Sequence, residues 1–320
     1  MSRKILIAVF ILFLFIPSFN YAQCCSTGSP VGASVNVGVL SRKNLRVILF
    51  YRNSYSDRYY KGNEKTENTF LKNAYYNFSG ITFGYGITRR LTAEADFGYF
   101  FNKTQVLKIN DYAETGYGLS NGGLTFKYGF VEKPLRQIEL VGGIGVRYPF
   151  SFEPQMKDGH TLNPDVQPST HAFGISGLVF FNKGFPDLTL RIFSINKYDY
   201  NFANQDNYRY GNILMNSVFA SKKIVNNLFG ILQIRSEWKS HDYYESLEGN
   251  ILKRENSGYE LVTVTPQISY SIAGKWNLSV LYDIPVYKYY NYSNNLVQLT
   301  PRYSFAVSLS HDFNLGPKIK

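Results

Sequence analysis

The chain has few of the residues that carry most protein chemistry: two cysteines, three methionines and four histidines among 320 residues. Cys24 and Cys25 are adjacent, which suits a local, disulfide-capable pair in an oxidising compartment. No His or Cys stands at ligand spacing beside them, so they are weak candidates for a soft metal, and no metal or cofactor is expected. A phosphate loop and a zinc signature are both missing. Ser240-His241-Asp242 and Ser310-His311-Asp312 contain the letters of a hydrolytic triad. Consecutive residues of an extended chain point to opposite sides, however, and cannot set a base against its own nucleophile. His160 and His171 have no carboxylate at useful spacing. An enzyme is not expected, and no catalytic residues are assigned.

Long hydrophobic runs are scarce as well. A mean hydropathy of -0.21 is too polar for a bundle of membrane helices. The one apolar run, ILIAVFILFLFI at 5–16, follows Arg3 and Lys4, is short for a bilayer crossing, and leads to Ala22, a small residue that suits cleavage. Residues 1–22 therefore read as a secretory signal peptide. Gln23 stands where a lipid-anchor signal needs a small residue before its cysteine. Acids are outnumbered by bases, 23 to 34, giving a formal net charge of +11. Those cations are scattered along an exported chain, which argues against nucleic acid and for anionic headgroups or solutes.

What the chain does have is rings, 27 Tyr and 25 Phe, and alternation. In LTAEADFGYFF (91–101), Leu91, Ala93, Ala95, Phe97, Tyr99 and Phe101 share one side of an extended chain, with Thr92, Glu94 and Asp96 opposite. Similar runs recur near 45–60, 75–88, 91–104, 120–131, 137–150, 171–183, 187–200, 212–224, 228–240, 257–272, 276–288 and 296–313. Most exceed the roughly 9–11 residues with which a tilted strand crosses a hydrocarbon core. Short turns at Arg89-Arg90, 132–136, 183–187, Asn226-Asn227 and Gly274-Lys275 alternate with long polar loops. That rhythm predicts an all-β fold, a transmembrane antiparallel up-and-down barrel of about 12 strands, with short periplasmic turns and long extracellular loops. A propeller has a similar repeat but four short strands in each, where this chain has two long ones. The alternation in 171–183 and 212–224 is less clean and leaves their registers open.

In such a barrel the greasy face meets lipid and the polar face lines the bore. The parity then assigns Glu94, Asp96, Lys127, Glu139, Arg147, Arg191, Gln233, Arg235, Glu237, Asp283 and Arg302 to the lumen. Their mixed signs suit either a self-neutralising network or a selective lining. Rings near the long loops, from Tyr59-Tyr60, Tyr75-Tyr76 and Phe100-Phe101 to Tyr287, Tyr289, Tyr290 and Tyr292, predict an aromatic girdle at the outer interface. Residues 23–44 are small and Gly- and Ser-rich, with Val31, Val35, Val37, Val39 and Leu40 among them. They read as an N-terminal plug or a periplasmic segment before a barrel at 45–313 and a tail at 314–320.

The stretches GYGLSNGGLTFKYGF (116–130) and FGYGITRRLTAEADFGYFF (83–101) carry a family likeness. So do Tyr85-Gly86-Ile87-Thr88 before a tight turn and the closing run from Thr265-Pro266 to His311-Asp312-Phe313. Over 45–313 the chain resembles the meta-pathway phenol-degradation barrels, relatives of the FadL-like outer-membrane transporters of Gram-negative bacteria. The resemblance implies passive movement of small, often hydrophobic or aromatic molecules past an N-terminal plug. The chain departs from that pattern in having twelve strands, where the fatty-acid transporters have more, and in running seven residues past Phe313.

The expectation is thus a porin-like outer-membrane transporter. Its partners would be outer-membrane lipids, a small-molecule solute and, during biogenesis, periplasmic chaperones and the barrel-assembly machinery. A structural or adhesive barrel with a shut lumen and ligand-binding loops is the alternative, and a barrel phospholipase the third.

Overall fold

The computed structural model describes residues 38–67, 71–246, 248–272, 276–292 and 298–316. The expected signal peptide, Cys24, Cys25 and most of 23–44 lie outside the described residues. Twelve strands form the wall: β1 Asn44–Ser56, β2 Leu71–Gly86, β3 Leu91–Leu107, β4 Gly122–Lys133, β5 Ile138–Tyr148, β6 Gly174–Phe185, β7 Leu190–Asn201, β8 Ile213–Val225, β9 Leu228–Lys239, β10 Tyr259–Ile272, β11 Trp276–Tyr290 and β12 Tyr303–Asn314. Each pairs antiparallel with its chain neighbours, and β1 closes the ring on β12 from Asn44↔Asn314 to Tyr55↔Tyr303. Closure leaves no sheet edge with unpaired amides facing lipid.

One rim carries tight connections. Pro134–Arg136 and Pro186–Leu188 are single 3-10 turns that open on proline and end on the left-handed residues Gln137 and Thr189. The other rim carries long loops, of which loop 3 (149–173), loop 4 (202–212) and loop 5 (240–258) matter below. Several contain small hairpins, such as Asp242–Glu245 with Ile251–Arg254.

The outer wall is apolar and bare. Leu49, Phe126, Val179, Leu232, Ile234, Ile268 and Val280 are exposed, and Ile144 is 73% exposed. A continuous belt of this kind is unstable against water and suits a hydrocarbon shell. Buried polar residues sit on the opposite parity, for example Thr263, Thr265, Gln267 and Ser269 on β10. The chain is an outer-membrane-type barrel.

The bore departs from the expected hydrophilic filling. Val141, Phe180, Phe193, Ile195, Phe219 and Ile231 pack together inside, with Val39 and Leu178 against them. Phe193 and Phe219 stack at 4.4 Å. The two strands with blurred alternation, β6 and β8, are blurred for this reason: Leu178, Phe180, Met215 and Phe219 turn inward beside Ser176, Asn182 and Ser217. A small barrel fills its interior with side chains, and apolar ones gain burial there.

A second internal cluster joins Phe50, Phe78 and Phe100, with Phe78 and Phe100 only 4.6 Å apart. Glycines make the room: a Cβ at Gly80 would overlap the Phe50 ring, and one at Gly98 the Phe78 ring. The expected aromatic girdle is accordingly only half formed. Phe101 is exposed, whereas Phe100 beside it faces the bore, because adjacent strand residues point oppositely. Tyr59, Tyr60 and Leu299, on the paired short loop strands Arg58–Lys61 and Gln298–Thr300, are buried with Tyr259 and Tyr290.

Candidate functional site: the charged bore and its cavity

Alternation along each strand sets which side chains reach the bore, and register sets which of them meet. On one side, β1, β9, β10 and β11 bring Arg52, Arg235, Thr265 and Asp283 together. Arg52 Nη1 lies 2.9 Å and Arg235 Nη2 3.5 Å from the same Asp283 oxygen, and Thr265 Oγ1 donates to the other at 2.6 Å. Glu237 accepts the Tyr259 hydroxyl, and Gln233 donates to Ser217 Oγ at 3.1 Å. All of these side chains are buried. Charges so placed are tolerable only because they neutralise one another.

On the other side, β3 to β7 contribute Glu94, Asp96, Lys127, Arg147, Lys197 and Asp199. Lys127 holds Glu94 at 2.7 Å, Lys197 holds Asp199 at 3.0 Å, and Arg147 donates to Asn201 Oδ1 at 3.2 Å. The difference is space. Glu94, Asp96, Lys127, Arg147 and Lys197 border a luminal cavity of about 240 Å3. Its apolar faces come from Ile48, Phe50, Phe78, Phe100, Ile195 and Met215, and its roof from residues 164–170 of loop 3. Polar groups that fix orientation beside apolar surface are the usual furniture of a small-molecule site.

Two assigned residues lie toward the turn rim. Glu139 accepts the Val39 N–H at 2.9 Å, and Arg191 donates to Asn182 Oδ1 at 2.5 Å. With Leu40 N–H bonded to Thr92 Oγ1 at 2.8 Å, the described start of the chain reaches into the bore from that end. Arg302 is a correction. It stands on the loop rim, its side chain 52% exposed and paired with Asp57 at 2.8 Å, because β12 begins only at Tyr303. Its parity is that of the bore, but its height is not.

Sequence reading missed Arg52, Lys103 and the loop network. In NLRVILFYRNSYS (44–56) the inward parity does carry Arg46, Arg52, Ser54 and Ser56, but Ile48 and Phe50 stand between the two arginines and weaken the contrast at mid-strand. In the loops, Asp242 is fully buried and receives Lys239 Nζ at 2.7 Å, Gly211 N–H at 2.7 Å and Tyr208 OH at 2.8 Å. Burial pushes its pKa up, but Lys239 and these bonds outweigh that and hold it below the usual carboxylate value. Arg254 donates to Tyr208 OH at 2.9 Å and reaches Asp165 at 3.1 Å. Its pKa is raised chiefly by Asp165. His171 is buried, with Nδ1 3.0 Å from Ser151 O and Nε2 3.2 Å from Gln167 Oε1. Burial lowers its pKa.

The two Ser-His-Asp runs are occupied otherwise. His241 meets Arg254 O and Asn291, while His311 packs between Trp276 and Phe313 as Asp312 pairs with Arg46. Among the described residues no group of three or more His, Cys, Asp or Glu could hold a metal ion.

No family model matches the chain, and no curated protein matches it in sequence. The fold does have solved counterparts. An outer membrane channel from Pseudomonas putida F1 superposes with a TM-score of 0.67 at 11% identity, covering 88% of this chain and 99% of that one. The NanC porin gives 0.46 at 12% identity over 83% and 98%, and the KdgM porin 0.42 at 9% identity over 83% and 99%. At these identities the likeness is one of fold.

Proposed function

We propose that the chain is a passive outer-membrane channel for small molecules, working without a cofactor. The observation that carries this reading is the cavity inside the closed wall, bordered by Glu94, Asp96, Lys127, Arg147 and Lys197. A barrel with only a structural role has no need of unfilled space beside charge. The Pseudomonas putida counterpart is itself a channel, which supports the same reading. Phe50, Phe78, Phe100 and Met215 beside the charges suit solutes with an apolar or aromatic body and a polar end. Outer-membrane lipids would contact the apolar belt, and residues 23–44, whose described end reaches Glu139 and Thr92, would act as a plug from the periplasmic side.

The second reading, an adhesive or structural barrel with a shut lumen, draws support from loop 3 lying over the cavity. Planar-bilayer recording and liposome uptake with hydrophobic and hydrophilic solutes separate the two. The channel reading expects discrete conductance steps that grow when residues 23–44 are deleted. Silence in both forms, with no solute uptake, would reject it.

A further inference from the structure

Loop 3 crosses the cavity mouth from one wall to the other, and its two ends are held very differently. At the β3–β4 side Asn121 is the anchor. Its Nδ2 donates to Thr170 Oγ1 and Ala172 O, both at 2.9 Å, and its Oδ1 accepts from Ser169 Oγ at 2.7 Å and Thr170 N–H at 2.9 Å. The middle is seated: Val166 is fully buried, Lys103 Nζ donates to Gln167 O at 2.9 Å, and a Cβ at Gly116 would overlap Val166 O. The far end meets loops 4 and 5 through polar contacts, Arg254 to Asp165 at 3.1 Å and Tyr210 OH to Pro164 O at 3.2 Å. Arg254 is itself steadied by Tyr208 and, at 3.9 Å, by Asp242.

We propose that residues 162–171 form a hatch, hinged at Asn121 and latched by Arg254 and Tyr210, whose release opens the cavity to the outside. The hinge is a cluster of short bonds on one asparagine, so it survives the loss of any one. Toward loops 4 and 5 the latch is one ion pair, its side chains 18–19% exposed, and one hydroxyl, two contacts against the four short ones on Asn121. An inward-folded loop with many bonds at one attachment and few at the other has a defined direction of opening. The inference rests on the cavity of the proposed channel but not on conduction through it.

The test uses the full-length protein with Cys24 and Cys25 replaced by serine and Ser176, which lines the cavity, replaced by cysteine. The rate of reaction with a small impermeant methanethiosulfonate is compared in this parent, in Asp165→Asn and in Arg254→Gln. Heat-modifiable mobility verifies that each is folded. The hatch requires slow labelling in the parent and about tenfold faster labelling in each variant, equivalent to ~1.4 kcal/mol. Rates unchanged in both variants, or a parent rate equal to that of Asp158→Cys at an exposed position of loop 3, would overturn it. Conductance is recorded on the same samples. Labelling that responds while every sample stays silent upholds the hatch and removes the channel, whereas a conducting barrel with unresponsive labelling removes the hatch alone.

Discussion

On the β1, β9, β10 and β11 side of the bore, Arg52 and Arg235 converge on Asp283 and all three side chains are buried. On the β3 to β7 side, Asp96 and Arg147 border a cavity. Both sides are charged and both are inward by the same alternation. Both sides hold ion pairs, and what separates them is the open space that borders the charges on the second side. A packed, mutually neutral cluster stiffens the wall, while charges beside open space remain able to meet a solute.

The sharpest way to break the comparison is to remove a charge from each side. Asp283→Ala leaves two guanidiniums buried without their shared acid and is expected to cost about 3–5 kcal/mol in urea unfolding from lipid vesicles. Asp96→Ala, which leaves nothing orphaned, is expected to stay within about 0.5 kcal/mol and to shift ion selectivity toward anions instead. Equal losses would erase the distinction.

A smaller effect is expected from pH at the loop end. The Asp242 pKa lies below its ordinary value in the folded protein, so its contribution is present above the ordinary value, about 3.9, and is lost as pH falls through the lower folded one. Protease protection of loops 4 and 5 should hold from neutral pH down to that range and fail only below it. Failure already near pH 6 would assign the loop packing to His171 or His241, whose burial lowers their pKa values.

Much of the wall was legible in the chain because lipid on one side and a bore on the other impose a period of two. Val262, Val264 and Ile268 against Thr263, Thr265 and Gln267 are an example, and the turn residues punctuate every such run. The bore was less legible. Hydrophobic residues turned inward, such as Phe180, Phe193 and Phe219, erase the contrast on which parity depends, and Ile48 and Phe50 interrupt the polar parity of β1 in the same way. Arg302 shows the other limit, since parity says which way a residue faces and nothing about how high it stands. The loop 3 latch joins Asp165 to Arg254 across 89 positions, a pairing that only the closed ring creates.

The central claim is that the route through the barrel follows the β3 to β7 side. Thiol modification tests it at two threonines that both face the bore: Thr125, which borders the cavity, and Thr265, which is fully buried in the packed cluster. In single channels, a charged methanethiosulfonate should react with Thr125→Cys and reduce the current, and should leave Thr265→Cys unlabelled and its current unchanged. Labelling and block at Thr265→Cys with none at Thr125→Cys would put the route on the opposite side and contradict the account.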